Sequence, residues 1–577
     1  MKKNIYTVLF ALLFLSLSCK KQVFESSPSD KYDEKTVWKS MDLVDAFINE
    51  TYNGIGNWVT DGLCLNSMVD DTYSMFDWAG GRSVARLAMN ATNSQILGVN
   101  YNKGGNYAPD RHALASGKWG YMYSKIRAVN QFFSNIDNLE VPGQEEKIKQ
   151  MKGEMHFLRA YFYSQLVNVY GKVILITDEY KITDDFLNVN KSSYQDVTDY
   201  IVSECNLAIE MLPASFPSEP GRATEGAAMA LKAEQLLYAA SPLNNGGSYN
   251  KARLQEALKA NEDILNLGIY SLYNPGDYRH IFLDKANPEI IFAKYTNGNL
   301  YIDRENSMER DIAPPGTGGF TAYCPLQNLV DEFEVIDGNS TFIPATWMGT
   351  TRTVTNNPTY NDNDPYKNRD PRFYATILYN GAVRGKNGYI VDSYAGGKDS
   401  RQSTTTAYWN ASWSSYYVRK FSNEANDAYG DDPRTNIMWI HYRLGEVYLN
   451  LAETLYELNT TDSKGRDAKW YVNKIRERAG VPLLNSVDRE AIRHERRIEL
   501  VFEGNRFFDV RRWQIYGKAF GKGCYGLKLE KQPNGTYITS LSPITNPEGK
   551  FDPRYYWWPI PENEILKNPN LEQSPGW

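Results

Sequence analysis

Acids, arginines and aromatics carry the chemistry available to this chain, and their densest run lies between Arg493 and Trp513. His494-Glu495 has the form of half a zinc motif. Ile498 stands where the second histidine of His-Glu-x-x-His belongs, so the spacing fails. Arg493, Arg496, Arg497, Arg506, Arg511 and Arg512 alternate instead with Glu495, Glu499, Glu503 and Asp509. Guanidinium forks match carboxylates two oxygens at a time. The run therefore reads as a bidentate ion-pair network clamping helices together, ahead of a catalytic cluster. Arg496 is expected to meet Glu499 one turn on. Gly504 is expected to end the helix as its C′ residue.

Two other acid groups invite a chemical reading. Asp70-Asp71 and Glu332 with Glu334 could serve a glycosidase, which needs two carboxylates at a set separation. Sequence neighbours supply no such geometry, so an endo-acting hydrolase ranks well below a binding protein. Asp362-Asn363-Asp364 begins like a calcium loop, but no glycine follows at the needed place and Pro365 intervenes. No cofactor is expected; a structural calcium ion is the one ion the sequence leaves open.

The 577 residues are ample for a large core, and the net charge of −6 comes with no long basic block. That excludes a nucleic-acid partner. None of the five cysteines forms a Cys-x-x-Cys pair, which excludes a zinc ribbon or a redox motif. The 41 tyrosines and 13 tryptophans suit packing and sugar stacking alike, since each ring joins an apolar face to a polar edge.

The N-terminus has the form of a secretory signal. Met1-Lys2-Lys3 is followed by an apolar stretch from Ile5 to Leu17, too short for an ordinary membrane span. Ser18 before the lone Cys19 resembles a lipoprotein processing site, although Ser16 stands where leucine is usual. An ordinary signal cut nearby is the alternative. The expected organisation is a signal over 1–18, a lipidated tether over 19–32, a helical region over 33–269 and a second region over 270–577. No later stretch approaches eighteen apolar residues, so the remainder is expected to be soluble.

These groups must be positioned by helices. Apolar residues three or four apart predict helices over 33–52, 112–138, 144–170, 193–212, 224–240, 250–267, 437–458 and 467–479. Ala-rich helices with Tyr and Leu at interlocking spacings suggest tetratricopeptide-like stacking with a few short strands. The repeats are irregular, so periodicity alone supports an array of helical pairs. Two long stretches break the pattern, 53–110 and 296–436. Both are rich in Gly, Asn and aromatics and read as functional loops. Strands are expected near 287–293, 376–379 and 389–391, and an extended strap over 551–577.

Several motifs resemble one family. They are Gly153-Glu154-Met155-His156-Phe157-Leu158-Arg159-Ala160-Tyr161-Phe162-Tyr163, Asn368-Arg369-Asp370-Pro371-Arg372-Phe373-Tyr374, Arg443 to Glu453, Glu495 to Asp509, and Trp558 to Leu571. In this order they resemble the SusD/RagB-type nutrient-binding lipoproteins of Bacteroidetes. The resemblance implies an all-α, tetratricopeptide-like fold. It implies an outer-membrane protein, anchored by lipid on Cys19 and facing the cell exterior. It implies a lid on a SusC-like TonB-dependent transporter that captures glycans, or in some members peptides, without turnover. One departure bears on outward display: Lys20, Lys21 and Gln22 follow Cys19, and the first acid is Glu25.

Ligand contacts are then expected on the two loop-rich stretches, where aromatic platforms meet polar edges. The first supplies Trp58, Asp70, Asp71, Tyr73, Trp78 and Tyr101. The second supplies Tyr301, Arg304, Tyr323, Trp409 and Trp413. Trp78, Tyr101 and Tyr323 lead because each sits among Gly, Asn and polar neighbours. For each ring the competing role is a loop anchor packed inward.

Overall fold

The computed structural model describes residues 37–76, 81–91, 118–139, 141–180, 187, 189–295, 308–385, 387–424 and 438–577, without the side chains of 58–60. Met41–Tyr52 (α1) buries Val44 and Ile48; its expected start near residue 33 lies outside the described residues. Lys118–Asn135 (α2) turns Trp119, Met122, Ile126 and Val129 inward. Glu145–Tyr170 (α3) is buried on nearly every side from Met151 onward. It stops at Gly171, whose φ of 78° a side chain would resist.

The next three helices begin on side-chain caps that satisfy their first N–H groups. Ser193 and Asp196 form a capping box at Tyr194–Met211 (α4). Thr224 accepts from Ala227 N at Glu225–Ala240 (α5), and Asn250 from two N–H groups at Lys251–Asn266 (α6). The buried alanines of α5 let it lie close to α4 on one side and α6 on the other. α3 packs on α2 and α4, so successive helices pair in the array the periodicity predicts.

Four short strands join distant parts of the chain: Thr72–Ser74 (β1), Ile290–Tyr295 (β2), Tyr323–Pro325 (β3) and Met438–Arg443 (β4). β1 pairs with β3, and β2 pairs with β4, both antiparallel. β4 corrects the helix expected from 437. Its run of Met, Trp, Ile and Tyr favours a pleated, buried ribbon, and the leucine periodicity that makes a helix begins only at Leu444. Leu444–Leu458 (α7) follows, then Ala468–Ala479 (α8), Arg489–Glu499 (α9) and Asn505–Arg512 (α10). The extended pieces near 376–379 and 389–391 are present: Ile377–Leu378 pairs with Tyr417–Val418, and Tyr389–Ile390 with Val383–Arg384.

The longest sheet element has no counterpart among the sequence expectations. Cys524–Lys531 (β5) and Tyr537–Thr545 (β6) form a hairpin. Its signal is readable: Leu527 and Leu529 alternate with Lys528 and Glu530, and Asn534-Gly535 makes the turn. The C-terminal strap is partly helical, at Glu562–Lys567, and it ties to α3 where Trp558 N donates to Val169 O at 3.1 Å.

The arginine-rich run is the clamp its composition predicts, with different partners. Arg496 passes Glu499 by. Its Nε donates to Asp509 Oδ2 at 2.8 Å and its Nη1 to Asn450 Oδ1 at 2.7 Å. Glu499 is engaged from the other side by Arg443, Arg372 and Arg478. Gly504 does not end α9, which stops at Glu499. Gly504 caps the start of α10 with φ 94°, and a Cβ there would stand 1.8 Å from Asp61 O.

Candidate functional site

A loop over 392–416 carries an exposed aromatic face. Asp399 organises it from within: its carboxylate accepts from Gly316 N at 2.9 Å, Asp392 N at 3.0 Å and the Tyr389 hydroxyl at 2.8 Å. Burial pushes the Asp399 carboxyl above its usual range, and these donors oppose that. Ser403 Oγ then accepts from Thr405 N and Thr406 N, fixing the approach to the turn Tyr408–Asn410.

Out of this held loop stand Tyr408, Trp409 and Trp413, exposed by 48%, 58% and 39%. Arg401 ties the two tryptophans together. Its guanidinium lies 5.0 Å over the Trp413 ring, and its Nη1 donates to Trp409 O at 3.3 Å. Tyr408 meets Trp409 edge-on at 5.4 Å. Behind Trp413 the backbone is braced by the hairpin: Leu527 N donates to Ser414 O, and a Cβ on Gly526 would stand 2.4 Å from Ser414 Cα. Exposed Gln402, Thr404 and Thr405 lie on the same loop. Flat apolar faces with hydroxyl, amide and guanidinium groups at their edges suit the C–H faces and hydroxyl rims of sugars.

The structure sorts the sequence-level candidates. Trp409 and Trp413 come together on this face. Tyr73 and Tyr323 do not: each is 1% exposed, and the β1–β3 pairing holds both in the core. The Tyr73 hydroxyl accepts from Arg82 Nε at 3.2 Å, and its ring lies 6.3 Å from that of Trp413, so it supports the face from beneath. Asp70 and Asp71 are also buried, inside the arginine clamp. Arg497 Nη2 is 3.0 Å from a carboxylate oxygen of each, and Arg506 Nε donates to Asp70 Oδ1 at 3.0 Å. Burial alone would raise the Asp70 carboxyl; Arg497 and Arg506 reverse this and hold it far below the carboxylate range. Only the backbone of Trp58 is described, in the turn Trp58–Leu63. Trp78, Tyr101, Tyr301 and Arg304 lie outside the described residues.

The acids that suggested hydrolysis are engaged elsewhere. Glu332 meets Arg497 at 2.7 Å and Lys522 at 2.8 Å, and Glu334 meets Arg476 at 2.9 Å. Asp362 accepts both Nη groups of Arg352. Among the described residues no group of three or more His, Cys, Asp or Glu is placed to hold a metal ion. Cys64, Cys205, Cys324 and Cys524 are buried free thiols. Tyr408 and Arg401 are the additions the structure makes. Tyr408 had a signal in its neighbour Trp409; Arg401 had none.

The helical-pair scaffold thus presents a braced loop of exposed aromatic rings. Residues 288–577 match the model described as the SusD family, and residues 65–237 match one described as "Starch-binding associating with outer membrane". The chain belongs to the SusD family. It is 24% identical to a SusD-like protein of Bacteroides ovatus, over 98% of this chain and 96% of that one. A solved SusD-like protein from Bacteroides fragilis is 29% identical, with 96% of this chain and all of that chain covered and a TM-score of 0.74. A second B. fragilis structure, described as a SusD-like carbohydrate-binding protein, shares the fold at 24% identity, 93% and 100% coverage and a TM-score of 0.71. No described helix is long and apolar enough to cross a membrane.

Proposed function

We propose that this protein captures glycans without turnover at the outer membrane and delivers them to a SusC-like TonB-dependent transporter. The observation that carries the reading is the exposed set Tyr408, Trp409 and Trp413, joined by Arg401 on a loop that Asp399 and β5 hold in shape. Large rings left open to water lose burial energy that a single-purpose core residue would gain, and a patch of them marks a binding surface. Trp78, Tyr101, Tyr301 and Arg304 are proposed to extend this surface, by their place in the two loop-rich stretches. Lipid on Cys19 would anchor the chain, facing the cell exterior. Family membership and the description of the carbohydrate-binding fold neighbour support the reading.

Affinity electrophoresis and calorimetry against a panel of neutral polysaccharides test the ligand. Binding to at least one, lost in the Trp409→Ala/Trp413→Ala double variant, is the expected result. Binding to peptides alone would move the protein to a peptide-capturing role, and new reducing ends after incubation would make it a hydrolase. Cys19→Ala should leave the membrane fraction, and the transporter barrel should co-purify with the wild-type chain.

A further inference from the structure

A cleft of about 420 Å³ opens between the loop around Asp277, the helix Pro371–Thr376 and the end of α8. Arg279, Arg372, Arg419 and Arg478 line it, with Tyr278 and Tyr374. Their counter-ions stand behind them. Glu424 is shared by Arg279, at 2.9 Å, and Arg419, at 2.7 Å. Glu499 is shared by Arg372, at 3.2 Å, and Arg478. Neither glutamate lines the cleft. Asp277, which binds Arg279 through both oxygens, is the one acid among the described lining residues. Four arginines thus stand in this wall, and apart from Asp277 the carboxylates that balance them lie behind it.

Most of these N–H groups are used. Arg372 spends Nε, Nη1 and Nη2 on Asp370, Glu495 and Glu499. Arg478 differs. Its side chain is 4% exposed, its two Nη atoms go to Glu289 and Glu499, and its buried Nε has no hydrogen-bond partner among the described residues. A buried donor left without an acceptor is costly, and arginine forks are matched to oxyanions. An oxyanion that reached this Nε from the cleft would supply the missing acceptor. The volume sits at the small end of the roughly 300–1,000 Å³ typical of ligand sites, which fits one sugar unit and not a chain.

We propose that this cleft is a second subsite, separate from the aromatic face, that takes the oxyanion of an acidic sugar unit, a uronate carboxylate or a sulfate ester. Only the choice of a sugar as carrier rests on the glycan reading above; the demand for an oxyanion rests on the arginines.

Calorimetry on the intact protein with glucuronate, glucose 6-sulfate, glucose and acetate tests it, the two acidic sugars separating carboxylate from sulfate. At least one acidic sugar should bind tenfold or more above glucose and above acetate. That preference should fall tenfold or more in Arg279→Gln and Arg419→Gln, whose rim positions are less deeply packed than Arg372 and Arg478. It should weaken between 0.05 and 0.5 M salt, a readout that needs no variant. No preference for acid, a preference indifferent to salt and to both arginine changes, or acetate binding as tightly as glucuronate overturns the subsite. Neutral polysaccharide binding at the aromatic face together with any of those results sinks this proposal alone.

Discussion

Arg443 holds Glu499 twice: Nη1 donates to its carboxylate at 2.8 Å, and Nη2 donates to its main-chain carbonyl at 3.0 Å. The contact joins the end of β4 to the end of α9 with both side chains at 1% exposure or less. Replacing a buried pair by apolar residues can be neutral, but removing one partner strands the other charge, at about 3–5 kcal/mol. Arg443→Met should therefore lower unfolding free energy by that amount in urea denaturation. A loss below about 1 kcal/mol would mean that Arg372 and Arg478 suffice for Glu499.

Trp409 and Trp413 should separate affinity from stability. Trp409 is the more exposed and is held mainly through its backbone, so Trp409→Ala should cost about tenfold in glycan affinity, near 1.4 kcal/mol, with an unchanged melting temperature. Trp413 also packs against Arg401 and Tyr73, so Trp413→Ala should cost a similar affinity and about 1 kcal/mol of stability. Equal stability losses in both would place Trp409 in the packing and not on the ligand face.

Gly504 has no room for a side chain. Its φ of 94° is strained for any L residue, and a Cβ would strike Asp61 O. Gly504→Ala should destabilise by about 3 kcal/mol or more, the sum of backbone strain and overpacking. Thermal unfolding measures it. A neutral result would require the Asp61 segment to move aside freely.

The helical scaffold was legible because its signals are local. Ser193, Thr224 and Asn250 cap helices at the positions their residue types suggest, and Gly171 stops one. The misreadings involve partners far along the chain. β4 looks helical until β2, well over a hundred residues away, pairs with it. Tyr73 and Tyr323 look like loop aromatics until β1 and β3 are seen to pair and hold each ring in the core. Asp70 reads as an exposed acid because its partners, Arg497 and Arg506, lie more than four hundred residues on. Composition revealed that the arginines would form a clamp; it held no information on which acid each would take.

The clamp should also make the protein acid-labile in a defined window. Glu453 accepts both Nη groups of Arg512, at 2.5 and 2.6 Å, and the indole N–H of Trp513 at 2.8 Å. Burial pushes its carboxyl up, but Arg512 more than reverses this and brings it to about 2. A glutamate in the unfolded chain titrates near 4.3, so the unfolded state takes up the proton first. The folded pKa is the lower one. The contribution of Glu453, on the order of 3 kcal/mol, is thus complete above about pH 4.3 and lost as pH falls towards 2. His441 acts in the window above. Burial pushes its imidazole down to about 4, so it stays neutral in the fold, and its contribution is lost as pH falls from about 6.5 to 4. Unfolding free energy from urea titrations between pH 7 and 3 should fall in two stages. Glu453→Gln should flatten the lower stage and spare the upper, while His441→Phe should do the reverse. A lower stage unchanged in Glu453→Gln would assign the acid transition to Asp70, Glu332 and Glu499, whose carboxyls the clamp also holds below their ordinary range.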